Sequence, residues 1–497
     1  MRKILYFIGL ILITNCIKAQ DLKQSPVLSQ SWEKIVFQGK QNNALNFWCQ
    51  NNTQFGILQL DSQLNVMQEI TLGSQVKNKT LRILSVLFME NQWVVFADFW
   101  NQKRNKNYLF ANYVNSQGEY LQEWTMIAEM DIPIKPSIDT YFFKFSPDKQ
   151  RFVVFIKKMR IIEIGFLNLG IHVFDRNFKQ IYERNNLVGK GQTQFLVDQV
   201  IIDNQASVYL KIVENKGVAR YSNSYVFQKT FHLFHFTPED SSFYSEVIAI
   251  PEKKITDIVL KLLPDQSLLL GGYYSEGGFA SMQGSFVIEY SRRKFELLQT
   301  LPFSNALHER YELPSNISKI YPQEMLKFTA HRLEVDDEGS VYIIGELIEK
   351  FAGSKRGIPK GSLYDILDSE IYGYEEILIT KVSANGQNWE QIIPKNQAGK
   401  VSDELSFSYS FSSAGFMFAF NTIKKESTDY FARFAPNTQG KTQIIGVDLS
   451  GKITQESTFE AVSKSNPLLY RPMPFSSGMY IATSRDKFKK IQILEIK

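Results

Sequence analysis

Three acidic residues before a glycine form the most chemically suggestive cluster in this 497-residue sequence. The stretch LEVDDEGSVYIIGE places Asp336, Asp337 and Glu338 directly before Gly339, and carboxylate oxygens are the ligands that hard cations such as Ca²⁺ prefer. No second acidic cluster follows at the spacing of a twelve-residue calcium loop. Apolar residues alternate on both sides, so we interpret the cluster as the turn of a β-hairpin and predict no metal site.

The histidines offer little for zinc binding. His232 and His235 are three residues apart in FHLFHF, which places them on opposite faces of a strand. His331 and Arg332 precede the acidic turn, in what we predict to be the innermost strand of a sheet. These two side chains are therefore candidates for lining a central channel. The other histidines, without a partner motif, are His172 and His308.

Known catalytic motifs are missing from the sequence. It has no Gly-x-Ser-x-Gly elbow, phosphate-binding loop or dinucleotide fingerprint, and we expect no cofactor. Acid/base catalysis requires carboxylates that are close in space but not in sequence. A hydrolase or lyase with its site at the mouth of a central channel is therefore the alternative to a binding protein.

A long insertion, residues 349–376, carries the best candidates for binding. It combines aromatic and basic side chains, the types that concentrate binding energy at interfaces. The alternative is a loop that folds back over its own sheet and buries its tyrosines there. The candidate binding residues are Phe351, Lys355, Arg356, Tyr364 and Tyr372.

The elements that must position these residues are repeated hairpins. A β-rich run, a short polar turn and a second β-rich run recur roughly every 50 to 75 residues. Eight copies begin at Val36, Val86, Phe143, Gln199, Lys261, Leu333, Ser408 and Arg471. A second strand-turn-strand segment, such as ILITKVSANGQNWEQII, lies between copies, so each unit has four strands.

Four-stranded units without helical periodicity predict an all-β chain that forms one β-propeller, residues 20–497. We prefer eight blades, with seven as the alternative if the weak first copy belongs to a shared blade. The last unit is one strand short, and residues 22–32 are the only unassigned stretch that could fill the place. Pairing the N- and C-terminal segments would close the ring and remove two open sheet edges.

The segments LEVDDEGSVYIIGE and ILITKVSANGQNWEQIIPKNQ resemble propeller repeats found in many secreted bacterial proteins of unassigned function. The match is clearest over one blade, residues 326–400. Most other hairpins replace Asp-Gly by Pro-Asp, Asn-Gln or Ser-Ser. Because the shared motifs consist of turn and packing residues, the resemblance implies fold and export but carries over no catalytic residue.

The first 19 residues predict an export signal. A basic MRK is followed by the apolar ILYFIGLILI and by a small residue, Ala19. We expect cleavage after Ala19 and a mature protein in the periplasm or outside the cell. Lipoprotein processing at Cys16 is the alternative, but the preceding Ile-Thr-Asn lacks the usual small residue. No later segment is long and apolar enough to predict a transmembrane helix.

Charge and cysteine content limit the possible partners. Without residues 1–19 the chain holds 53 basic and 51 acidic residues, a balance that gives no sign of nucleic-acid binding. Cys49 has no second mature cysteine with which to form a disulfide. Taken with the repeats, the absent catalytic motifs and the long insertion, these features lead us to expect a monomeric, non-catalytic propeller. We expect it to bind a protein or glycan partner through loops on one face.

Overall fold

The computed structural model describes residues 23–24, 28, 32 and 34–496. Gaps in this description fall at 42, 52–53, 77–78, 90–91, 132–134, 137–140, 159–166, 189–193, 222–223, 278–280, 313–324, 352–370, 396, 401–406, 424–439, 461–469, 476–477 and 486–489. In the described ranges, no helix is long and apolar enough to cross a bilayer.

The first half of the chain forms four antiparallel sheets, each of four strands in sequential order. Sheet 1 contains Lys34–Gln41, Ala44–Gln50, Phe55–Leu60 and Val66–Thr71. Sheet 2 contains Arg82–Met89, Gln92–Asn101, Lys106–Val114 and Thr125–Asp131. Sheet 3 contains Tyr141–Phe145, Arg151–Lys158, Leu167–Asp175 and Gln180–Val188. Sheet 4 contains Gln194–Ile202, Val208–Tyr221, Ser224–Phe236 and Tyr244–Ile248.

The second half of the chain also forms four antiparallel sheets. Sheet 6 has an added fifth strand, and sheet 8 includes one strand from the N-terminal segment. Sheet 5 contains Lys254–Leu262, Leu268–Ser275, Gly284–Ser291 and Lys294–Pro302. Sheet 6 contains Phe328–Val335, Val341–Phe351, Ile371–Val382, Trp389–Ile393 and a fifth strand, Gln397–Lys400. Sheet 7 contains Ser408–Ser412, Gly415–Ile423, Gly440–Val447 and Ile453–Glu460. Sheet 8 contains Tyr470–Phe475, Gly478–Arg485, Lys490–Ile496 and Lys23–Gln24.

The sheets form a β-propeller, which confirms the predicted fold class. Seven sheets are four-stranded antiparallel blades, which matches the alternative of seven blades and not the preferred eight. Sheet 6 differs from them because a fifth strand pairs with its third strand. Lys23 and Gln24 pair with Glu495 and Leu494. The N- and C-terminal segments therefore close the ring in one sheet, as predicted.

Burial changes from the inner to the outer strands of a blade. In sheet 5 the second strand, Leu268–Ser275, is buried along its whole length, whereas the fourth, Lys294–Pro302, is mostly exposed or half-buried. An inner strand is covered on both faces by neighbouring sheets, which explains continuous apolar runs such as LLLGGYY.

Aromatic side chains fill the space between neighbouring sheets. The ring of Phe96 in sheet 2 stacks on Phe143 in sheet 3 at 4.3 Å between centroids. Tyr342 in sheet 6 contacts Phe416 in sheet 7 edge to face at 5.2 Å. Core packing thus accounts for these rings, as expected for residues at alternating strand positions.

A few short elements lie outside the sheets of the ring. They are the strand pairs Gln75–Val76 with Lys79–Thr80 and Ser281–Met282 with Met325–Leu326, the 3₁₀ turn Gln102–Arg104 and the helix Asn305–Arg310.

Candidate functional site

The first strand of each sheet lies nearest the axis of the ring, and we call these the axial strands. Side chains join neighbouring axial strands directly. The Gln199 side chain donates to the Leu260 carbonyl at 2.7 Å and accepts from the Leu260 amide at 3.0 Å. Glu334 pairs with Lys261 of sheet 5 and accepts from the Tyr409 hydroxyl of sheet 7 at 2.5 Å.

The two ends of the ring differ in their connections. In antiparallel blades every second-to-third strand connection lies at the same end, which we call the loop face, and the first-to-second hairpins lie at the opposite end, the turn face. Axial strands begin at the loop face and end at the turn face. The acidic turn at Asp336 and Gly339 therefore lies on the turn face, and the paired strand ends at Phe351 and Ile371 lie on the loop face.

Asp336 stabilises its hairpin turn. Its Oδ1 accepts from the amides of Glu338 at 3.0 Å and Ser340 at 2.8 Å, while Oδ2 accepts from the Tyr342 hydroxyl at 2.8 Å. These hydrogen bonds outweigh partial burial and lower the pKa of Asp336. No group of three or more metal-ligating side chains occurs in the described residues.

A β-bulge recurs in the axial strands. One extra residue interrupts the pairing with the second strand in sheets 1, 2, 4, 5 and 6. The extra residues are Gln38, Leu84, Asp198, Thr256 and His331. A bulge changes the direction in which its side chain points, so His331 does not follow the simple alternation of its strand.

His331 turns back to its own sheet. Its Nε2 lies 3.1 Å from Glu346 Oε2 on the second strand, and the same carboxylate pairs with Lys395. Glu346 and Lys395 are fully buried, whereas His331 remains partly exposed. Burial alone would raise the pKa of Glu346, but the hydrogen bond with His331 and the charge of Lys395 lower it.

Arg332 is exposed and donates to the His331 carbonyl at 3.1 Å. It lies close enough to Lys144 in the axial strand of sheet 3 to oppose that charge. Burial lowers the pKa of Lys144, and the charge of Arg332 lowers it further by a smaller amount. Lys144 is exposed to solvent. The two cations that interact here come from non-adjacent sheets, 3 and 6.

A second group of cations, the lysine cluster, consists of Lys211, Lys229 and Lys327. Lys211 and Lys229 lie on the second and third strands of sheet 4, and Lys327 directly precedes the axial strand of sheet 6. Lys327 interacts with both other lysines and with Asp257 of sheet 5. Burial is the main cause that lowers the pKa of Lys327 to about 8.

The three acidic residues with described contacts in the axial strands of sheets 4 to 6 are already engaged. Asp198 pairs with Lys211, and Glu334 binds Lys261 and Tyr409. Asp257 accepts from the amides of Ile258 at 3.0 Å and Ala330 at 3.1 Å. Asp257 and Glu334 thus connect sheets 5 to 7, whereas Asp198 connects two strands of sheet 4.

The candidate binding residues of the insertion are only partly described. Strands Val341–Phe351 and Ile371–Val382 continue the ladder of sheet 6 outward until Phe351 pairs with Ile371 and Lys350 with Tyr372. Gln397–Lys400 adds a strand beside Ile371–Tyr374. The inserted segment therefore begins and ends as sheet. Lys355, Arg356 and Tyr364, and the side chains of Phe351 and Tyr372, lie outside the described residues.

Sequence reasoning missed a second projection on the loop face. The second and third strands of sheet 4 continue pairing beyond Asn215 and Lys229 until Tyr221 pairs with Ser224, whereas the axial strand pairs only as far as Asn215. The sequence signal for this long hairpin was the length of the two strand-like segments from Val208 to Phe236, which only Ser-Asn at 222–223 separates.

The other histidines have structural contacts. The Nε2 atom of His232 lies 2.9 Å from Glu214 Oε2. His235 stacks on Tyr209 at 4.4 Å, and its Nδ1 lies 3.2 Å from the Tyr290 hydroxyl. Burial and then the Arg293 charge lower the pKa of His235 to about 4, so this imidazole is neutral at pH 7.

Comparison with known proteins gives similarity in structure only. No family model and no curated sequence matches the chain. The WD40 domain of SCAP from fission yeast aligns over 96% of each chain at 10% identity and a TM-score of 0.38. The β-propeller domain of the Trilobed protease from Pyrococcus furiosus covers 86% of this chain and 98% of its own, at 8% identity and 0.37. An ulvan lyase covers 88% and 96%, at 8% identity and 0.38. The structural neighbours are β-propeller proteins, and they include both enzymes and other proteins.

Proposed function

We propose that this protein is an exported, non-catalytic β-propeller that binds a protein or glycan partner on its loop face. The observation that carries the proposal is the pair of hairpins that extend sheets 4 and 6 beyond the blades. Both arise from second-to-third strand connections, so both project from the same end of the ring.

The state of the axial carboxylates supports binding in preference to hydrolysis or elimination. A pair of carboxylates that works as acid and base must reach a substrate. Asp198, Asp257 and Glu334 instead contact lysines, backbone amides and a tyrosine. Releasing any of them would break a contact between strands or sheets.

Export through the N-terminal signal belongs to the same proposal. Cleavage after Ala19 leaves the closing strand Lys23–Gln24 in the mature chain, and so does lipoprotein processing at Cys16. Either route therefore delivers a chain that retains the residues that close the ring.

Affinity capture from envelope and culture fractions tests the binding role. The wild-type mature protein is compared with a variant in which Phe351, Lys355, Arg356, Tyr364 and Tyr372 are changed to Ala or Ser. A matched control changes exposed basic residues of the turn face, Lys179, Arg292 and Lys452, to Ala.

We expect a partner that the wild type and the turn-face control retain and that the loop-face variant loses while still folded. If all three proteins retain the same partners, or none retains any, the loop face is not the recognition surface. The channel mouth should then be searched for hydrolase or lyase activity.

A further inference from the structure

The long hairpin of sheet 4 leaves one strand edge uncovered. Its third strand, Ser224–Phe236, pairs with the second strand along its whole length. The fourth strand, Tyr244–Ile248, covers the opposite side of the third strand and ends where Ile248 pairs with Phe231. Beyond that pair, no described part of the chain pairs with residues 224–230 on that side. We call this side of residues 224–230 the open edge.

The chain itself turns away from the open edge directly after the fourth strand. The Lys253 amide donates to the Ile250 carbonyl at 3.2 Å, with Pro251 inside the turn. The axial strand of sheet 5 then begins at Lys254. The fourth strand therefore does not continue along the hairpin. In an antiparallel sheet every second residue of an edge strand directs its N–H and C=O groups outward, so the open edge offers a row of donors and acceptors.

Sheet 6 shows what completes the same edge of a projecting hairpin. Its third strand, Ile371–Val382, also extends beyond the fourth strand, Trp389–Ile393. There the chain returns, and Gln397–Lys400 pairs antiparallel with Ile371–Tyr374 on the side away from the second strand. An added antiparallel strand thus covers one of the two projecting hairpins, whereas the described residues supply none to the other.

The sequence of the open edge suits pairing with another strand. Residues 224–230 read SYVFQKT, which is rich in β-formers and contains no Pro or Gly. The bulge of this hairpin lies on the second strand, at Gly217, so it does not interrupt the open edge. Proteins usually protect an exposed edge with Pro, a bulge, several charges or a covering segment. Here Lys229 is the only charged residue of the seven-letter run.

The charge of the hairpin indicates which kind of strand it accepts. Residues 216–230 include the basic residues Lys216, Arg220 and Lys229 and no acidic residue. Pairing with the same hairpin of a second copy would bring like charges together, whereas an acidic segment would be attracted. A peptide in extended conformation also matches the row of N–H and C=O groups through its own main chain. A glycan has no such regular row.

We propose that the open edge binds an extended, acidic segment of a protein partner, which adds to sheet 4 as an antiparallel strand in line with the fourth strand. This inference rests on the proposed binding function and narrows the partner from a protein or glycan to a protein. Main-chain hydrogen bonds along the edge supply affinity, and the basic residues of the hairpin favour acidic sequences.

Selection from a phage library of random linear peptides on the mature protein tests the open edge. The most enriched peptides are synthesised, and their affinities are measured by calorimetry. A short-hairpin variant replaces residues 216–228 by Asn-Gly, so that the pair formed by Asn215 and Lys229 closes a two-residue turn. This variant keeps the blade and removes the open edge, and we expect it to bind none of the peptides.

A charge variant tests the choice of an acidic segment with the hairpin intact. It changes Lys216, Arg220 and Lys229 to Gln, and the turn-face control removes the same number of positive charges at the other end of the ring. We expect the selected peptides to be acidic. The charge variant should bind them about tenfold more weakly, the effect of three exposed ion pairs, whereas the turn-face control should match the wild type.

Amide hydrogen exchange followed by mass spectrometry locates the peptide on the wild type, so the test does not depend on the folding of a variant. We expect the bound peptide to slow exchange within residues 224–230 and to leave Ile371–Tyr374, which a strand already covers, unchanged. No enriched peptide, unchanged exchange at the open edge, or equal binding by a folded short-hairpin variant would overturn the proposal. So would a wild-type dimer in sedimentation that the short-hairpin variant does not form, because a second copy would then occupy the edge.

The capture experiment separates this inference from the proposed function. Peptide binding at the open edge, with no partner captured from the cell fractions, supports the edge as a strand-binding site and counts against the proposed function. A partner that only the loop-face variant loses, with no peptide bound at the open edge, supports the proposed function and overturns strand addition.

Discussion

The contact between Glu346 and Lys395 has a large predicted effect on stability because both side chains are fully buried. Changing Glu346 to Gln would remove the buried carboxylate that pairs with Lys395 and would weaken the contact with His331. Removing one partner of a buried ion pair costs about 3–5 kcal/mol. We expect the Glu346→Gln variant to lose that amount of unfolding free energy, measured by urea denaturation.

Two controls separate the buried charge from a general effect of substitution. Asp337 is exposed in the nearby turn, so Asp337→Asn should stay within about 0.5 kcal/mol of the wild type. Changing both Glu346 and Lys395 to Met removes both charges together and should cost much less than Glu346→Gln. A Glu346→Gln variant as stable as Asp337→Asn would contradict the assigned pair.

Single residues show what the sequence could predict about the site. The acidic turn fixes the end of a hairpin, so His331 and Arg332 could be placed in an axial strand from sequence. The contacts that these two side chains make could not be predicted from sequence. The bulge at His331 turns its ring toward Glu346, and a bulge depends on pairing with the neighbouring strand. Lys229 and Lys327 lie in sheets that only the closed ring brings together, so the cluster was missed.

At the scale of elements, nine hairpins among the described residues share one turn geometry. The amide of the fourth turn residue donates to the carbonyl of the first, and the fourth residue has a left-handed backbone. The fourth residues are Leu64, Gly118, Lys149, Phe178, Ala206, Gln266, Gly339, Gly386 and Gly451. In six of these turns the first residue is Asp or Asn, and its side chain accepts from the amides two and four positions later.

Gly339 allows the conformational cost of this turn to be measured alone. Its φ is +80°, and a Cβ placed there would meet no atom within 4 Å. Changing Gly339 to Ala should therefore cost about 1 kcal/mol, since a left-handed backbone is unfavourable for an L-residue. Urea denaturation gives the difference.

Gly73 is the matched control. A Cβ there also meets no atom within 4 Å, and its backbone is not left-handed. Gly73→Ala should be neutral or slightly stabilising, because it only restricts the unfolded chain. If the two variants changed stability equally, the shared turn geometry would not be the cause.

The same turns mark the limit of prediction at this scale. Asp336 with Gly339 is a recognisable hairpin signal. Leu64 and Phe178 adopt the same left-handed backbone without resembling turn residues, and both are buried in cores between strands. Tertiary packing thus offsets the local strain. For this reason the hairpin positions could be predicted from sequence, whereas their common geometry could not.

At the scale of the whole molecule, hairpin periodicity and a missing last strand were enough to predict a closed propeller. The fifth strand of sheet 6, Gln397–Lys400, had no separate sequence signal because it pairs only with the outward extension of Ile371–Val382. The closing strand is brief, with two residue pairs joining Lys23 and Gln24 to Glu495 and Leu494. Buried Leu28 and Trp32 then anchor the N-terminal segment to sheet 1, where Trp32 Nε1 donates to Glu69 Oε1 at 2.8 Å.

This arrangement makes ring closure testable without shortening the chain. Changing Lys23 and Gln24 together to Pro removes their backbone donors from the ladder with Lys490–Ile496, whereas changing both to Ala keeps the backbone intact. The Pro variant should lose about 1 kcal/mol of stability and unfold at a lower temperature, because only one of two adjacent residues in an antiparallel edge strand donates to its neighbour. It should also self-associate, because an unpaired strand edge accepts another chain. Thermal unfolding and light scattering measure the two effects. A Pro variant that matched the Ala variant in both would mean that packing of Leu28 and Trp32 on sheet 1, and not the strand pairing, holds the ring closed.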